Sequence, residues 1–83
     1  MPKPLKLDKN LDIVREAITS SNLESLGYDE KNETLEVEFL NAGEIYRYHN
    51  ISKHVFNAML GASTPGQYFY HFIRLAYPYY RIQ

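Results

Sequence analysis

The chain has 83 residues, 45% of them hydrophobic and 14% aromatic, with no cysteine and a net charge of −1. That length holds one small domain, and the composition belongs to a folded chain rather than a disordered one. The absence of cysteine excludes disulfides, thiol nucleophiles and thiolate metal sites. The near-neutral total conceals a division: Met1 to Glu44 holds ten acids and five bases, whereas Ile45 to Gln83 holds four bases, all three histidines, seven of eight tyrosines and no acid.

Met1 to Lys6 reads as an arm, with prolines at 2 and 4 and none of the apolar stretch of a signal peptide. With no apolar run long enough for a membrane span, the expected location is cytoplasmic. From Asp8, the residues Leu11, Val14, Ala17 and Ile18 fall at helical spacing, with Asp8 or Asn10 as cap, so a short N-terminal helix is expected.

Strand signals follow. Leu23 to Tyr28 forms the first, ended by the turn residues Asp29-Glu30-Lys31-Asn32. Thr34 to Phe39 alternates polar and apolar, the pattern of a strand with one buried face, and Asn41-Ala42-Gly43 leads into a third from Glu44 to Asn50. Pairing Leu40 with Ile45 sets Phe39 opposite Tyr46, Val37 opposite Tyr48 and Glu38 opposite Arg47, which directs Tyr46 and Tyr48 into the core. Glu36 and Glu38 then lie on a solvated acidic face, with His49 opposite Glu36.

Ser52 caps a helix carrying Val55, Phe56, Met59 and Leu60, stopped by Gly61. Thr64-Pro65-Gly66-Gln67 starts another: threonine as cap, proline at the first position, glutamine bonding back to the cap. It is expected to run to about Tyr77, where Pro78 ends it, with Phe69, Phe72, Ile73 and Ala76 as its core stripe.

Tyr70, Arg74 and Tyr77 occupy a different side of that helix, with His71, Lys53 and Arg81 as neighbouring cations. One reading is an RNA surface, rings stacking on bases while cations hold phosphates. The other is a solvated face on which Arg74 lies over adjacent rings. His49 and His54 match no metal motif, and no nucleophile–base–orienter set is visible, so neither a metal, a cofactor nor catalysis is expected. A small enzyme using His71 is the weakest alternative. Ser20 and Ser21 read as turn residues bonding to their own backbone.

Read together, Ile18-Thr19-Ser20-Ser21, Gly27-Tyr28-Asp29, Leu35-x-Val37-x-Phe39, Gly43 and Tyr46-Arg47-Tyr48 resemble the KTSC domain, named after a C-terminal extension of some lysyl-tRNA synthetases and also found as stand-alone bacterial and phage proteins. Ala62-x-Thr64-x-Gly66-x-Tyr68-Phe69 and Ile73-Arg74 resemble its closing helix. The resemblance runs from Ile18 to Tyr80, and its hallmark is the central Tyr46-x-Tyr48. Ser52 stands where the family commonly has proline, Tyr70 where it typically has asparagine, and the turn before Tyr46 is one residue longer than usual. The resemblance brings no established activity; attachment to a synthetase suggests RNA.

The sequence thus predicts an α+β domain, a three-stranded antiparallel meander packed by two C-terminal helices. Residues 1–17 form an arm and short helix, and 18–83 form one KTSC-like domain. The expected function is non-enzymatic RNA binding through Tyr70, Arg74, Tyr77, His71, Lys53 and Arg81, with Tyr46 and Tyr48 in the core. The alternative is a protein–protein or self-association module.

Overall fold

The computed structural model describes residues 12–83. Five antiparallel strands follow one another across a single sheet in chain order: β1 (Glu16–Ala17), β2 (Leu23–Asp29), β3 (Thr34–Phe39), β4 (Ile45–Tyr48) and β5 (Tyr79–Arg81). Helix α1 (Lys53–Gly61) and helix α2 (Pro65–Tyr68), which runs directly into a π-helical segment at Phe69–Ile73, lie between β4 and β5. The α+β class and the central meander are as expected, but the sheet has five strands rather than three.

The expected N-terminal helix is not formed by the residues described. Asp12 to Arg15 has no regular structure, and Glu16–Ala17 is an edge strand on β2; the start of that expected helix, from Asp8, lies outside the described residues. Its helical stripe is not buried as one either, since Val14 is 84% exposed. What anchors this stretch instead is polar: Arg15 reaches the Glu36 carboxylate and donates through Nε to Ser25 Oγ at 3.0 Å. A helix would forfeit both bonds.

In β2, Leu23 and Leu26 are both buried although three residues apart, which strict alternation forbids. A bulge resolves this: Leu23 pairs with Phe39 and Ser25 with Glu38, so Glu24 is the extra residue and the pleat restarts beyond it. Gly27 has no room for a side chain, because an added Cβ would meet the Val14 carbonyl and Ile13 Cγ2.

The β3–β4 register is displaced by two residues from the expected one. Val37 pairs with Tyr46, Leu35 with Tyr48 and Glu36 with Arg47. The longer turn is the cause: Phe39 N–H donates to Glu44 O at 2.9 Å across Leu40 to Gly43, with Asn41 (φ 71°) and Gly43 (φ 69°) in the left-handed region. A shift of two preserves the faces, so Tyr46 and Tyr48 stay on the helix side as expected.

The core lies between that side and the helices, where Leu23, Leu35, Val37, Ile51, Met59, Phe69 and Ile73 are fully buried. Ser52 Oγ accepts from Val55 N–H at 3.2 Å, the expected cap of α1. Pro65 begins α2, but Thr64 makes no side-chain cap bond and the proposed glutamine back-bond is not formed. The last helix ends earlier than expected, at Ile73. Its i→i+5 spacing (Arg74 N–H to Phe69 O, 2.9 Å) brings Phe69 and Ile73 into line under the sheet and rotates Phe72 outward. Phe72 is therefore 61% exposed, and the expected stripe reduces to Phe69 and Ile73.

The opposite face of the sheet is not the solvated acidic surface expected. Glu36 is only 2% exposed, held by Arg15 and by Arg47 Nε at 2.8 Å, and Arg47 is itself 5% exposed. Burial by itself lowers the Arg47 pKa, but its bonds to Glu36 and Tyr80 leave it raised overall. His49 does not face Glu36; its Nδ1 lies 3.4 Å from Thr34 Oγ1 and its ring stacks on Tyr80. Glu38, at the margin of this layer, accepts from Ser25 Oγ at 2.8 Å.

Candidate functional site

A cleft of about 320 Å³ opens on the helix side of the sheet, where β4 and β5 meet the end of the π-helical segment. The tyrosine alternation of β4 brings Tyr46 and Tyr48 to its floor, and β5 adds Tyr79, stacked on Tyr48 with centroids 5.2 Å apart and tilted against Tyr46 at 5.8 Å. The far wall is Tyr70 with Arg74, one i,i+4 step apart, the guanidinium 4.6 Å from the centre of the Tyr70 ring. Phe39 lies edge-on to Tyr46, and Glu44, its neighbour across the β3–β4 turn, also lines the cleft.

The electrostatics are uneven. Glu44, the acid of the cleft, is paired with Arg81 at 3.3 Å. Arg74 has no carboxylate partner among the described residues; its recorded contact is with the face of Tyr70. Burial pushes the Tyr48 phenol up to about 12, with Tyr79 adding to the rise and Arg74 opposing it. Tyr48 is therefore a neutral O–H group at neutral pH, able to donate. Tyr48 is buried at 2% exposure, and Tyr46 is half-buried beside it.

Of the residues singled out from sequence, Tyr70 and Arg74 line the cleft and Arg81 lies at its lip. His71 is exposed, with its ring 6.4 Å from that of Tyr70. Tyr77 is half-buried against the core, and Lys53 opens α1 beside Glu30, at 3.4 Å. Tyr46 and Tyr48 pack on the core as expected, but they also form the cleft floor. Sequence reading missed Phe39, Glu44 and Leu75 as cleft residues, and it missed Tyr79 because β5 itself was missed.

Ser20 Oγ accepts from the N–H groups of Asn22 and Leu23 at 3.2 and 3.1 Å, the expected turn role. Among the described residues no cluster of three histidine or acidic side chains is placed to hold a metal ion. Nor is any helix among them long and apolar enough to cross a membrane.

The architecture is that of a small antiparallel sheet with helices on one face and an aromatic cleft where the two layers part. Comparison with known proteins gives the family. The KTSC domain model matches residues 19–77, and the chain belongs to that family. An uncharacterized protein of Stutzerimonas stutzeri (strain A1501) is 46% identical over 55 residues, covering 66% of this chain and 76% of the relative. The crystal structure of a KTSC domain protein from Yersinia pestis superposes with a TM-score of 0.80 at 26% identity, over 87% of this chain and all of that one.

Proposed function

We propose that this KTSC domain is a non-enzymatic, cytoplasmic binding module whose ligand is RNA, and that the cleft is where the RNA is held. The observation that carries the reading is the juxtaposition of Tyr70, Tyr79, Tyr46 and Tyr48 with the Arg74 guanidinium, which has no carboxylate partner among the described residues. Rings stack on unpaired bases whatever their identity, and a guanidinium binds phosphate oxygen. The acid-free sequence beyond Glu44 supports the same choice of ligand, since a phosphate approaching this side meets few fixed negative charges.

Fluorescence anisotropy of labelled single-stranded RNA and of a tRNA, at low and physiological salt, tests this. Loss of one stacking ring together with one charge-assisted bond weakens binding by about tenfold or more, so Tyr70→Ala/Arg74→Ala should lower affinity by that factor with an unchanged melting curve. An affinity unchanged in the double variant would remove the cleft from RNA binding.

A second reading, self-association, is favoured by a different observation. Phe72 and Leu75 are 61% and 83% exposed at the end of the last helix. Light scattering at millimolar protein separates the two: a dimer dispersed by Phe72→Ser/Leu75→Ser supports self-association, and a strict monomer excludes it.

A further inference from the structure

We infer that the cleft is a single-nucleotide site, taking one nucleoside monophosphate unit, free or at the end of an RNA, rather than an internal stretch of strand. The inference rests on the RNA reading above and narrows it.

Three observations carry it. The first is size: about 320 Å³ is at the lower end of small-molecule pockets, enough for one base with its sugar and not for a run of bases. The second is the distribution of positive charge. Proteins that follow a single strand line a continuous groove with cations. Among the described residues Arg74 is the cation lining the cleft, while Lys53 is paired with Glu30, Arg81 with Glu44, and Arg15 and Arg47 with Glu36. The guanidinium beside it, that of Arg81, is already engaged by Glu44, so the described residues offer no continuous cationic track past the cleft.

The third is Glu44, which lines the cleft, so a second phosphate leaving on its side would pass a carboxylate. Phe39, the neighbour of Glu44 across the β3–β4 turn, packs on Tyr46 and on the buried Phe69 and closes the wall beside it. What the cleft offers is complete for one nucleotide. Tyr70 and Tyr79, each about half exposed, present ring surface to a base. Arg74 meets one phosphate, and Tyr46, half-buried in the cleft floor, adds a phenol beside it.

Isothermal titration calorimetry with the intact chain tests the inference, using UMP, AMP, uridine, inorganic phosphate, and a linear and a circular oligouridine of equal length. Saturable one-to-one binding of UMP or AMP is expected, about tenfold weaker for uridine, which lacks the phosphate, and weaker again for inorganic phosphate, which lacks the ring. Arg74→Gln should abolish the preference for UMP over uridine, and a preference retained in that variant would take the phosphate away from Arg74. The linear oligomer should bind at least as well as UMP, and the circular one at least tenfold more weakly. Equal affinity for circular and linear RNA, or RNA binding without mononucleotide binding, overturns the single-nucleotide site and leaves the RNA reading standing. A mononucleotide that binds while linear RNA does not makes the free nucleotide the ligand and overturns the RNA reading alone. Failure of every probe removes both.

Discussion

Replacing Glu36 by glutamine should be among the most destabilising single-atom changes this domain can suffer. Its carboxylate is 2% exposed and holds Arg47, which is 5% exposed, at 2.8 Å. Glutamine keeps the volume and loses the charge, so the buried Arg47 guanidinium loses the Glu36 carboxylate. Breaking a buried pair in this way costs about 3–5 kcal/mol. Arg15, at 28% side-chain exposure, can turn toward water and adds little to that figure. A small domain has about 5–15 kcal/mol of total stability, so the variant should lose a large share of it and melt at least about 12 °C lower.

Urea titration followed by tyrosine fluorescence, with thermal melts by circular dichroism, measures this. Glu38→Gln is the internal control: Glu38 shares the face but is 26% exposed, and its loss should cost about 1 kcal/mol or less. Removing both charges, as Glu36→Leu/Arg47→Met, should recover most of the loss, because no uncompensated ion remains. A Glu36→Gln loss below about 0.5 kcal/mol, as for a solvated acid, would refute the reasoning.

Three further outcomes follow from the same contacts. Tyr28→Phe removes the hydroxyl that donates to Ile51 O at 2.6 Å while keeping the ring stack on Phe56, and should cost about 1–2 kcal/mol in urea midpoint measurements. Ser52→Ala removes the cap of α1 and should cost about 1 kcal/mol, with no change in cleft binding. Burial, helped by Arg47, holds the His49 pKa below its ordinary value, so the unfolded chain takes up its proton first. Stability should be full above about pH 6.5 and fall as pH drops from there through the lower folded pKa. His49→Phe, which keeps the stack on Tyr80, should flatten that decline between pH 7 and pH 5; an identical decline in the variant would assign it to other groups.

What could be read from the sequence depended on how local its cause was. Strands β3 and β4 announce themselves by a period of two, and the Ser52 and Pro65 helix starts by residue type. The faces of Tyr46 and Tyr48 were legible because a register error of two residues leaves them unchanged. The fifth strand was not: Tyr79–Arg81 is too short to show a period, and Pro78 reads only as a stop. The edge strand was disguised, because Val14, Ala17 and Ile18 mimic a helical stripe while Arg15 is fixed by Glu36, 21 positions along the chain.

Likewise the i→i+5 turn that exposes Phe72 has no signature in the residues Phe69 to Ile73. The candidate site was half legible for the same reasons. Tyr70 and Arg74 are one helical step apart and are found by counting. Tyr79 enters the cleft only through the strand pairing of β5 with β4. Glu36 could not be distinguished from Glu38 by pattern, since both sit at polar positions of one alternating strand; only the arginines on either side separate them.

The most direct test of the central claim is a ¹H–¹⁵N correlation spectrum of the whole chain titrated with UMP and then with linear oligouridine. The account predicts that the backbone amides of Tyr46, Tyr48, Tyr70, Arg74 and Tyr79 shift together and saturate on one curve, while those of Glu36, Lys53 and Thr34 stay in place. Shifts confined to the opposite face of the sheet, or none in the cleft at saturating RNA, would contradict it.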